Sequence, residues 1–210
     1  MVIDVPEYYQ GNCTILVMEH NISVDIQVHC AAHANLKIRL IIAYPEFLRM
    51  NIVLMLCGDQ SNVIVDGMCV LSQQQRVELL TRQIHFGKKT MSSFSMQGLL
   101  SGQAYCKHDG MIRIEEQAYQ TVARQQSKNI LLSSKACAIS IPNIEVLHHD
   151  VQCYHGTAVG KFCKNQIEYM HSRGLSYRMI EKMLVQALFE HVLHAYEKKE
   201  FILQKIYENL

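Results

Sequence analysis

Hydrophobic and polar residues alternate in short runs through the first three-quarters of the chain. Runs such as "SVDIQVHC", "NLKIRLIIA" and "RVELLTRQIHF" place apolar, often β-branched, side chains at alternate positions. Alternation with a period of two is typical of β-strands that bury one face. The runs recur roughly every 10–13 residues from about residue 12 to about residue 160, with polar connectors between them. This pattern predicts a mainly β region and leaves a sandwich, a barrel and a solenoid open.

The pattern becomes helical near residue 165. "NQIEYMHSRG" predicts a short helix that ends at Gly174, and Ser176 is positioned to cap a longer helix. Apolar residues then follow helical spacing at Ile180, Met183, Leu184, Ala187, Leu188, Val192 and Ala195. The segment "FILQKIYENL" offers a further apolar face. We therefore predict a β core over residues 1–164 and a C-terminal helical region over residues 165–210.

Composition narrows the classes of function. Hydrophobic residues make up 49% of the chain, charged residues 19%, and the formal net charge is +1. This balance favours a folded chain and argues against a nucleic-acid partner, which would call for a basic stripe. The first residues lack the apolar segment of a secretory signal, and charges interrupt the most apolar stretch, so we expect neither export nor a membrane span. In a reducing compartment the eight cysteines should be free thiols.

The candidate chemistry lies in "VQCYHGTAVG", residues 151–160. Cys153 and His155 are two positions apart, so one strand would present both on the same face. Thiolate and imidazole are ligands for iron and for iron–sulfur clusters. The pair predicts half of a ligand set that a second subunit would complete. The alternative for Cys153 is a buried core residue, which is what a free cysteine usually is.

Other thiols and imidazoles are weaker candidates. Adjacent histidines on a strand point to opposite faces, so His148 and His149 should not share a site. Cys163 is an outside candidate, and His85 is more simply structural. The cysteines in the early strand-like runs are expected in the core, and they are Cys13, Cys30, Cys57 and Cys69.

An ordered set of segments between about residues 76 and 190 resembles a known family. The segments include "ELLTRQIHFGKKTMS", "ILLSS", "PNIEV", "DVQCYHG" and finally "SRG" before a helix. Together they resemble the SufB/SufD family, the scaffold subunits of the SUF iron–sulfur cluster assembly machinery. The resemblance implies a right-handed parallel β-helix followed by a small C-terminal helical region. Members of the family are usually much longer, so this chain looks shortened at its N-terminus.

The segment around His155 is similar to the SufD form of the motif. SufB-type chains carry a glutamate after this histidine, where the present chain has Gly156. They also carry a sulfur-accepting cysteine directly after a lysine, whereas Lys135 is followed by Ala136 and then by Cys137. The resemblance implies that His155 is an interface histidine and leaves Cys137 as a minor candidate ligand. The implied cofactor is an iron–sulfur cluster that is assembled transiently and not retained.

The resemblance also implies partners and a compartment. A SufC-like ATPase would dock on the C-terminal helices, for which Tyr177, Ile180, Leu184 and Phe189 are the candidate residues. The second partner would be a SufB-like subunit or another copy of this chain, and no nucleic acid or membrane is implied. ATP would act through the ATPase partner, because the chain lacks the G-x-x-x-x-G-K-[ST] motif. The implied compartment is a bacterial cytoplasm or a plastid-type stroma.

Three alternatives to a SufD-like adaptor stay open. One is a structural β-helix interaction protein that has lost the cluster role, and another is a minimal homodimeric scaffold that serves both subunit roles. The third is a β-helix lyase or transferase, which would require clustered carboxylates. The chain offers scattered ones, such as Glu46, Asp66 and Glu78. We therefore expect a protein that is not an enzyme.

Overall fold

The computed structural model describes residues 1–18, 21–194 and 196–208. Ala195, which the helical pattern included, lies outside the described residues. The strands are β1 Val2–Val5, β2 Gln10–Val17, β3 Ile22–Cys30, β4 Asn35–Ala43, β5 Phe47–Leu56, β6 Asn62–Leu71, β7 Arg76–His85, β8 Met91–Leu100, β9 Tyr105–Ile114, β10 Val122–Leu131, β11 Cys137–Val146 and β12 Gln152–Gly160.

The strands form two parallel sheets. The odd-numbered strands stack in the order β1-β3-β5-β7-β9-β11, and the even-numbered strands in the order β12-β10-β8-β6-β4-β2. Each odd strand therefore turns a corner into an even strand, and the chain winds into a β-solenoid of about five turns. The mainly β solenoid is confirmed, whereas its right-handed winding stays a prediction.

The turns of the solenoid widen along the chain. Residues paired between successive odd strands are 25 positions apart for Val2 and Gln27 and 32 apart for Tyr105 and Cys137. The even strands lengthen from eight residues in β2 to ten in β10. The corner between an odd and an even strand carries a residue in the left-handed region in the first five cases, and these residues are Tyr8, His33, Gln60, Lys89 and Gln120. Successive corners are separated by 25, 27, 29 and 31 residues, so the widening is regular.

The interior changes from aliphatic to polar along the same direction. Between β3 and β6 it is filled by buried side chains such as Ile26, Val28, Ile38, Leu40 and Leu54. From β7 onward, buried polar residues share it, and they are Thr81, Gln83, His85, Ser92, His108, Gln125, Ser127 and Asn129. The two regions meet inside one continuous solenoid, because no break separates the sheets.

The buried histidines are paired with hydroxyls. The ring nitrogens of His85 lie 2.7 Å from Thr90 Oγ1 and 2.8 Å from Ser92 Oγ. His108 Nε2 lies 2.8 Å from Thr81 Oγ1. Burial lowers the pKa of each histidine to about 4, so both rings are neutral at pH 7. The structural role predicted for His85 is confirmed.

The C-terminal helices are α1 Lys164–Ser172, α2 Tyr177–Leu193 and α3 Lys199–Glu208. Helices α2 and α3 pack on the outer face of the even-numbered sheet, whereas α1 has no buried residue. Ser176 caps α2 as predicted, since its hydroxyl accepts the Met179 N–H at 3.3 Å. The shared core contains Ile41, Met68, Val70, Leu99 and Ile130 from the sheet, Val185, Leu188, Phe189, Val192 and Leu193 from α2, and Ile202, Leu203 and Ile206 from α3. In the described part of the chain, no helix is long and apolar enough to span a membrane.

The strands end at Gly160 and the helices begin at Lys164, close to the predicted boundary, although the division into two domains stays a prediction. The expectation that Cys57 lies in the core is wrong, because this residue is exposed in the corner after β5. Cys30 and Cys69 are buried as expected, and Cys13 is half-buried. Met183 belongs to the exposed side of α2 and not to its buried face.

Candidate functional site

Strand β12 forms the open edge of the even-numbered sheet. It pairs with β10 on one side, and no described strand lies along its other side. The Gln152 N–H donates to the Thr121 carbonyl at 2.9 Å, so the even-numbered residues of β12 turn their backbone groups towards β10. The backbone N–H and C=O groups of Cys153, His155 and Thr157 therefore face the free edge. These groups are available for another strand.

The edge of the odd-numbered sheet at the same end is less suited to pairing. Cys137 donates its N–H to the Ala104 carbonyl at 2.9 Å, which turns the odd-numbered residues of β11 towards β9. Pro142 consequently lies on the free side, where its missing N–H removes one donor. Of the two open edges at this end, β12 offers the more complete row of backbone donors.

Cys153 and His155 lie on the same face of β12, as predicted. Their register partners on β10 are Ala123 and Gln125, both buried, so the two side chains face the interior of the solenoid. Adjacent same-face positions on a strand are about 7 Å apart along it. The thiol and the imidazole thus form a pair at the last turn.

The two side chains differ in exposure. Cys153 is half-buried against a small apolar cluster of Ile112, Ile114, Ala118 and Ala123. This burial raises the pKa of its thiol, which favours the protonated form. His155 is exposed, although its neighbour Gln125 in the same interior row is buried. The alternative that Cys153 is a core residue therefore holds in part, because its side chain is half-buried. His155 is the accessible member of the pair.

The other predicted ligands lie elsewhere. Cys137 is exposed on the outer face of β11, while Ala136 before it is buried, so Cys137 does not join the pair. Cys163 is exposed at the residue preceding α1. Among the described residues, no group of three or more His, Cys, Asp and Glu side chains is arranged to hold a metal.

The histidine pair beside the site is arranged differently from the prediction. His148 and His149 lie in the corner between β11 and β12 and not on a strand. Their rings stack with centroids 4.8 Å apart, and the Asp150 N–H donates to His148 Nδ1 at 3.0 Å. Opposite-face geometry therefore does not apply to them.

One neighbour of His155 escaped the sequence interpretation. A cavity of about 490 Å³ is lined by His155, Tyr154, Arg124, Gln125 and Gln126. The Arg124 guanidinium lies 5.5 Å from the centre of the Tyr154 ring, in register with it on β10. Because the His155 side chain faces the interior with Gln125, Arg124 and Tyr154 lie on the opposite, outer face of the sheet. No local signal links Arg124 to this edge, because it is a neighbour of Tyr154 through strand pairing across 30 positions.

The predicted docking residues differ in their exposure. Ile180, Leu184 and Phe189 are buried within the chain, where they hold the helix in place. Tyr177, by contrast, is 62% exposed. Of the four, Tyr177 is therefore the residue that presents its side chain to solvent. The exposed side of the helix also carries Met179 and Met183.

Comparison with known proteins places this geometry in a family. The family described as "SUF system FeS cluster assembly, SufBD core domain" matches residues 19–188. Protein ABCI7, chloroplastic, from Arabidopsis thaliana is 30% identical over 100 residues, which cover 48% of this chain and 21% of that protein.

Two bacterial relatives match over longer stretches. The iron-sulfur cluster assembly protein SufD of Escherichia coli (strain K12) is 24% identical over 140 residues, which cover 67% of this chain and 33% of that protein. SufD of Bacillus subtilis (strain 168) is 27% identical over 137 residues, which cover 65% of this chain and 30% of that protein. The chain spans about a fifth to a third of the length of these three relatives. Because the family match covers most of the chain, the chain belongs to the SufBD core domain family.

Proposed function

We propose that this chain is a SufD-like scaffold or adaptor subunit of SUF iron–sulfur cluster assembly and not an enzyme. The observation that carries the proposal is the position of His155, an exposed imidazole on an unpaired edge strand beside a half-buried thiol. Family membership supplies the context. The compartment would be a bacterial cytoplasm or a plastid-type stroma.

The two candidate ligands, Cys153 and His155, suit a cluster that is assembled on the chain and then passed on. A [2Fe–2S] or [4Fe–4S] cluster takes four protein ligands, and this chain offers two. A partner strand that adds to the free edge of β12 would bring the missing ligands from a SufB-like subunit or a second copy. Shared, incomplete ligation favours release of the finished cluster over retention.

The protonation states suit a site that forms on binding. Cysteine ligates as the thiolate and histidine as the neutral base, so metal binding must displace the thiol proton of Cys153. Since burial raises the pKa of that thiol, the isolated chain disfavours the ligating form.

Docking of a SufC-like ATPase belongs on the exposed side of the helices. Met179 and Met183 are about half exposed on the side of α2 away from the sheet, and Tyr177 is exposed at the start of the helix, where its ring stacks on His171 of α1. Tyr169 of α1 adds a fourth exposed apolar side chain. Methionine and tyrosine are frequent at protein interfaces. Since α2 is anchored on the sheet through Phe189, a partner that moves the helix would also act on the solenoid.

The proposal is tested by anaerobic co-expression with SufB-like and SufC-like partners, followed by assays of iron and acid-labile sulfide. We expect His155→Ala to co-purify with its partners and to lose iron and sulfide. Thr157→Ala is the matched control, because Thr157 lies on the same face of the same edge strand. Unchanged iron and sulfide in His155→Ala would favour the structural interaction protein. Iron and sulfide on this chain without a SufB-like partner would favour the homodimeric scaffold.

A further inference from the structure

Gln125 of β10 is the neighbour of His155 in the stack of strands. The two residues are register partners on adjacent parallel strands, and both side chains face the interior of the solenoid. Register partners in a sheet lie about 4.8 Å apart. Gln125 is buried, with 4% of its surface exposed, whereas His155 in the last turn is exposed. The sheet therefore places a buried side-chain amide next to the candidate ligand.

The carbonyl end of this amide is already engaged. Gln83 of β7, in the preceding turn, donates its side-chain N–H to Gln125 Oε1 at 3.4 Å. Both glutamines are buried, so the contact is shielded from water. A hydrogen bond in such surroundings is electrostatically stronger than one in water. The contact with Gln83 therefore holds the oxygen of the Gln125 amide in place.

The nitrogen end of the amide lies over Gly110 of β9. A Cβ atom at position 110 would collide with Nε2 of Gln125 and with the rest of its amide group. Any residue other than glycine at this position would displace the amide. Side chains that are fixed by packing and by a second hydrogen bond make precise supports for a binding site. The Gln125 amide is held in this way by β7 on one side and by β9 on the other.

The amide N–H groups of Gln125 and the imidazole of His155 both lack a partner. Within the part of the chain that the structure describes, no oxygen or nitrogen accepts a hydrogen bond from Gln125 Nε2, and neither ring nitrogen of His155 has a contact of this kind. A buried donor without an acceptor costs free energy. A neutral imidazole has one nitrogen with a lone pair, which is an acceptor. Rotation of the exposed His155 ring about its side-chain bonds would join the two groups.

We propose that Gln125 is a positioning residue that donates its amide N–H to a ring nitrogen of His155. The inference rests on the proposed function, because it concerns the ligating state of the same histidine. The nitrogen that accepts this hydrogen bond carries the lone pair, so the ring proton stays on the other nitrogen. The accepting nitrogen faces the interior, as does the thiol of Cys153.

This arrangement prepares the imidazole to bind iron. Histidine ligates through the unprotonated nitrogen of its neutral ring, and partners beyond the ligand itself orient that ring. Iron would replace the amide hydrogen at the same lone pair, so no proton has to move between the two ring nitrogens. The amide N–H that is released could then donate to a sulfide or thiolate sulfur, as such donors do in iron–sulfur proteins.

Nuclear magnetic resonance of the full chain tests the contact. With isotopically labelled histidine at about pH 8.5, where ordinary imidazoles are neutral, long-range proton–nitrogen spectra show which ring nitrogen carries the proton. The variant His155→Gln identifies the signals of His155. We expect one tautomer of His155 to predominate. Gln125→Met removes the donor at similar volume and should change the tautomer ratio about fivefold, the effect of one hydrogen bond.

Two controls separate a direct contact from a general change of structure. Gln126→Met is the matched variant, because Gln126 is exposed on the opposite face of the same strand, and it should leave the tautomer ratio unchanged. In the unmodified chain, nuclear Overhauser effects should connect the amide protons of Gln125 to the ring protons of His155. This second measurement requires no variant to fold. Circular dichroism verifies the fold of each variant.

Absence of the Overhauser effect, an unchanged tautomer ratio in Gln125→Met, or an equal change in Gln126→Met would each overturn the inference. Its failure is distinguishable from failure of the cluster role. If His155→Ala loses iron and sulfide while the tautomer ratio does not depend on Gln125, this inference fails and the cluster role stands. If the ratio depends on Gln125 and His155→Ala keeps iron and sulfide, the positioning contact stands and the cluster role fails.

Discussion

His191 of α2 and Asp66 of β6 are joined across the boundary between helix and sheet, with His191 Nε2 3.0 Å from Asp66 Oδ1. Asp66 is buried, and its other oxygen lies 3.0 Å from Lys37 Nζ. A buried carboxylate is tolerated when cations or hydrogen bonds compensate it. Here the compensation comes from both packed layers, so the contact fixes the position of α2 on the sheet.

We predict that His191 and Asp66 are energetically coupled. In a double-mutant cycle of His191→Ala and Asp66→Ala, the free energies of unfolding should show a coupling of about 1 kcal/mol, since residues in one ion-pair network are not additive. Urea unfolding at neutral pH measures all four proteins. Additive effects would show that Lys37 alone compensates the carboxylate.

Acid should destabilise the fold through the two buried histidines. The pKa of His85 and of His108 is lowered from 6.5 to about 4 in the folded chain, so unfolding takes up protons below pH 6.5. The stability that each neutral ring contributes is present above pH 6.5 and is lost as the pH falls towards 4. At pH 4.5 the loss should be on the order of 2–3 kcal/mol for each ring.

The measurement is urea unfolding at pH 7.5 and pH 4.5, with His108→Gln beside the unmodified chain. Glutamine keeps a polar group near Thr81 and does not titrate. The free energy of unfolding of the variant should change less between pH 7.5 and pH 4.5 than that of the unmodified chain. An equal change in both proteins would assign the acid sensitivity to carboxylates instead.

The two sides of α2 should separate stability from partner binding. Phe189→Ala empties a buried position in the core shared with the sheet and should cost about 3–5 kcal/mol of unfolding free energy. Met183→Ala alters an exposed position on the same helix and should leave stability within about 0.5 kcal/mol. Only Met183→Ala therefore tests docking of the ATPase without a large loss of stability. A pull-down with the SufC-like partner would measure that docking. Normal pull-down by Met183→Ala combined with Tyr177→Ala would contradict the location of the docking surface.

Alkylation should rank the thiols by exposure. With iodoacetamide under reducing conditions at neutral pH, Cys137 and Cys163 should be modified first, because both are exposed. Cys153 should react more slowly, since burial raises the pKa of its thiol. The buried thiols of Cys69 and Cys106 should react on unfolding. Peptide mass spectrometry over a time course gives the order, and fast labelling of Cys153 would contradict the half-buried position.

The sequence pattern located the strands with aliphatic interiors and missed those with polar interiors. Strands such as β4 and β5 show the alternation, because inward residues such as Leu40 and Leu54 are aliphatic. Strands β8 and β10 show it poorly, because their inward positions include Ser92, Gln125 and Ser127. A polar side chain inside a solenoid leaves no hydrophobic alternation, and only the hydrogen bonds of the folded state reveal it.

The candidate site was partly predictable for a related reason. Cys153 and His155 lie on one strand, so their spacing was sufficient to place them together. Their neighbours Ala123 and Gln125 are set by strand pairing, and the docking surface depends on which side of α2 meets the sheet. Tyr177 and Phe189 belong to the same helix, yet the partner sheet buries one and leaves the other in solvent. These relationships require the tertiary arrangement.

The steady widening of the turns gives each one a fixed place in the stack. The corner residues His33, Gln60, Lys89 and Gln120 are separated by 27, 29 and 31 residues, so successive intervals at this corner differ. A turn copied or deleted by recombination would meet neighbours of the wrong circumference, and its corner residues would fall on straight strand. The protein is therefore unlike uniform repeat arrays, which grow or shrink by whole units. Its length is expected to evolve by small insertions at the corners.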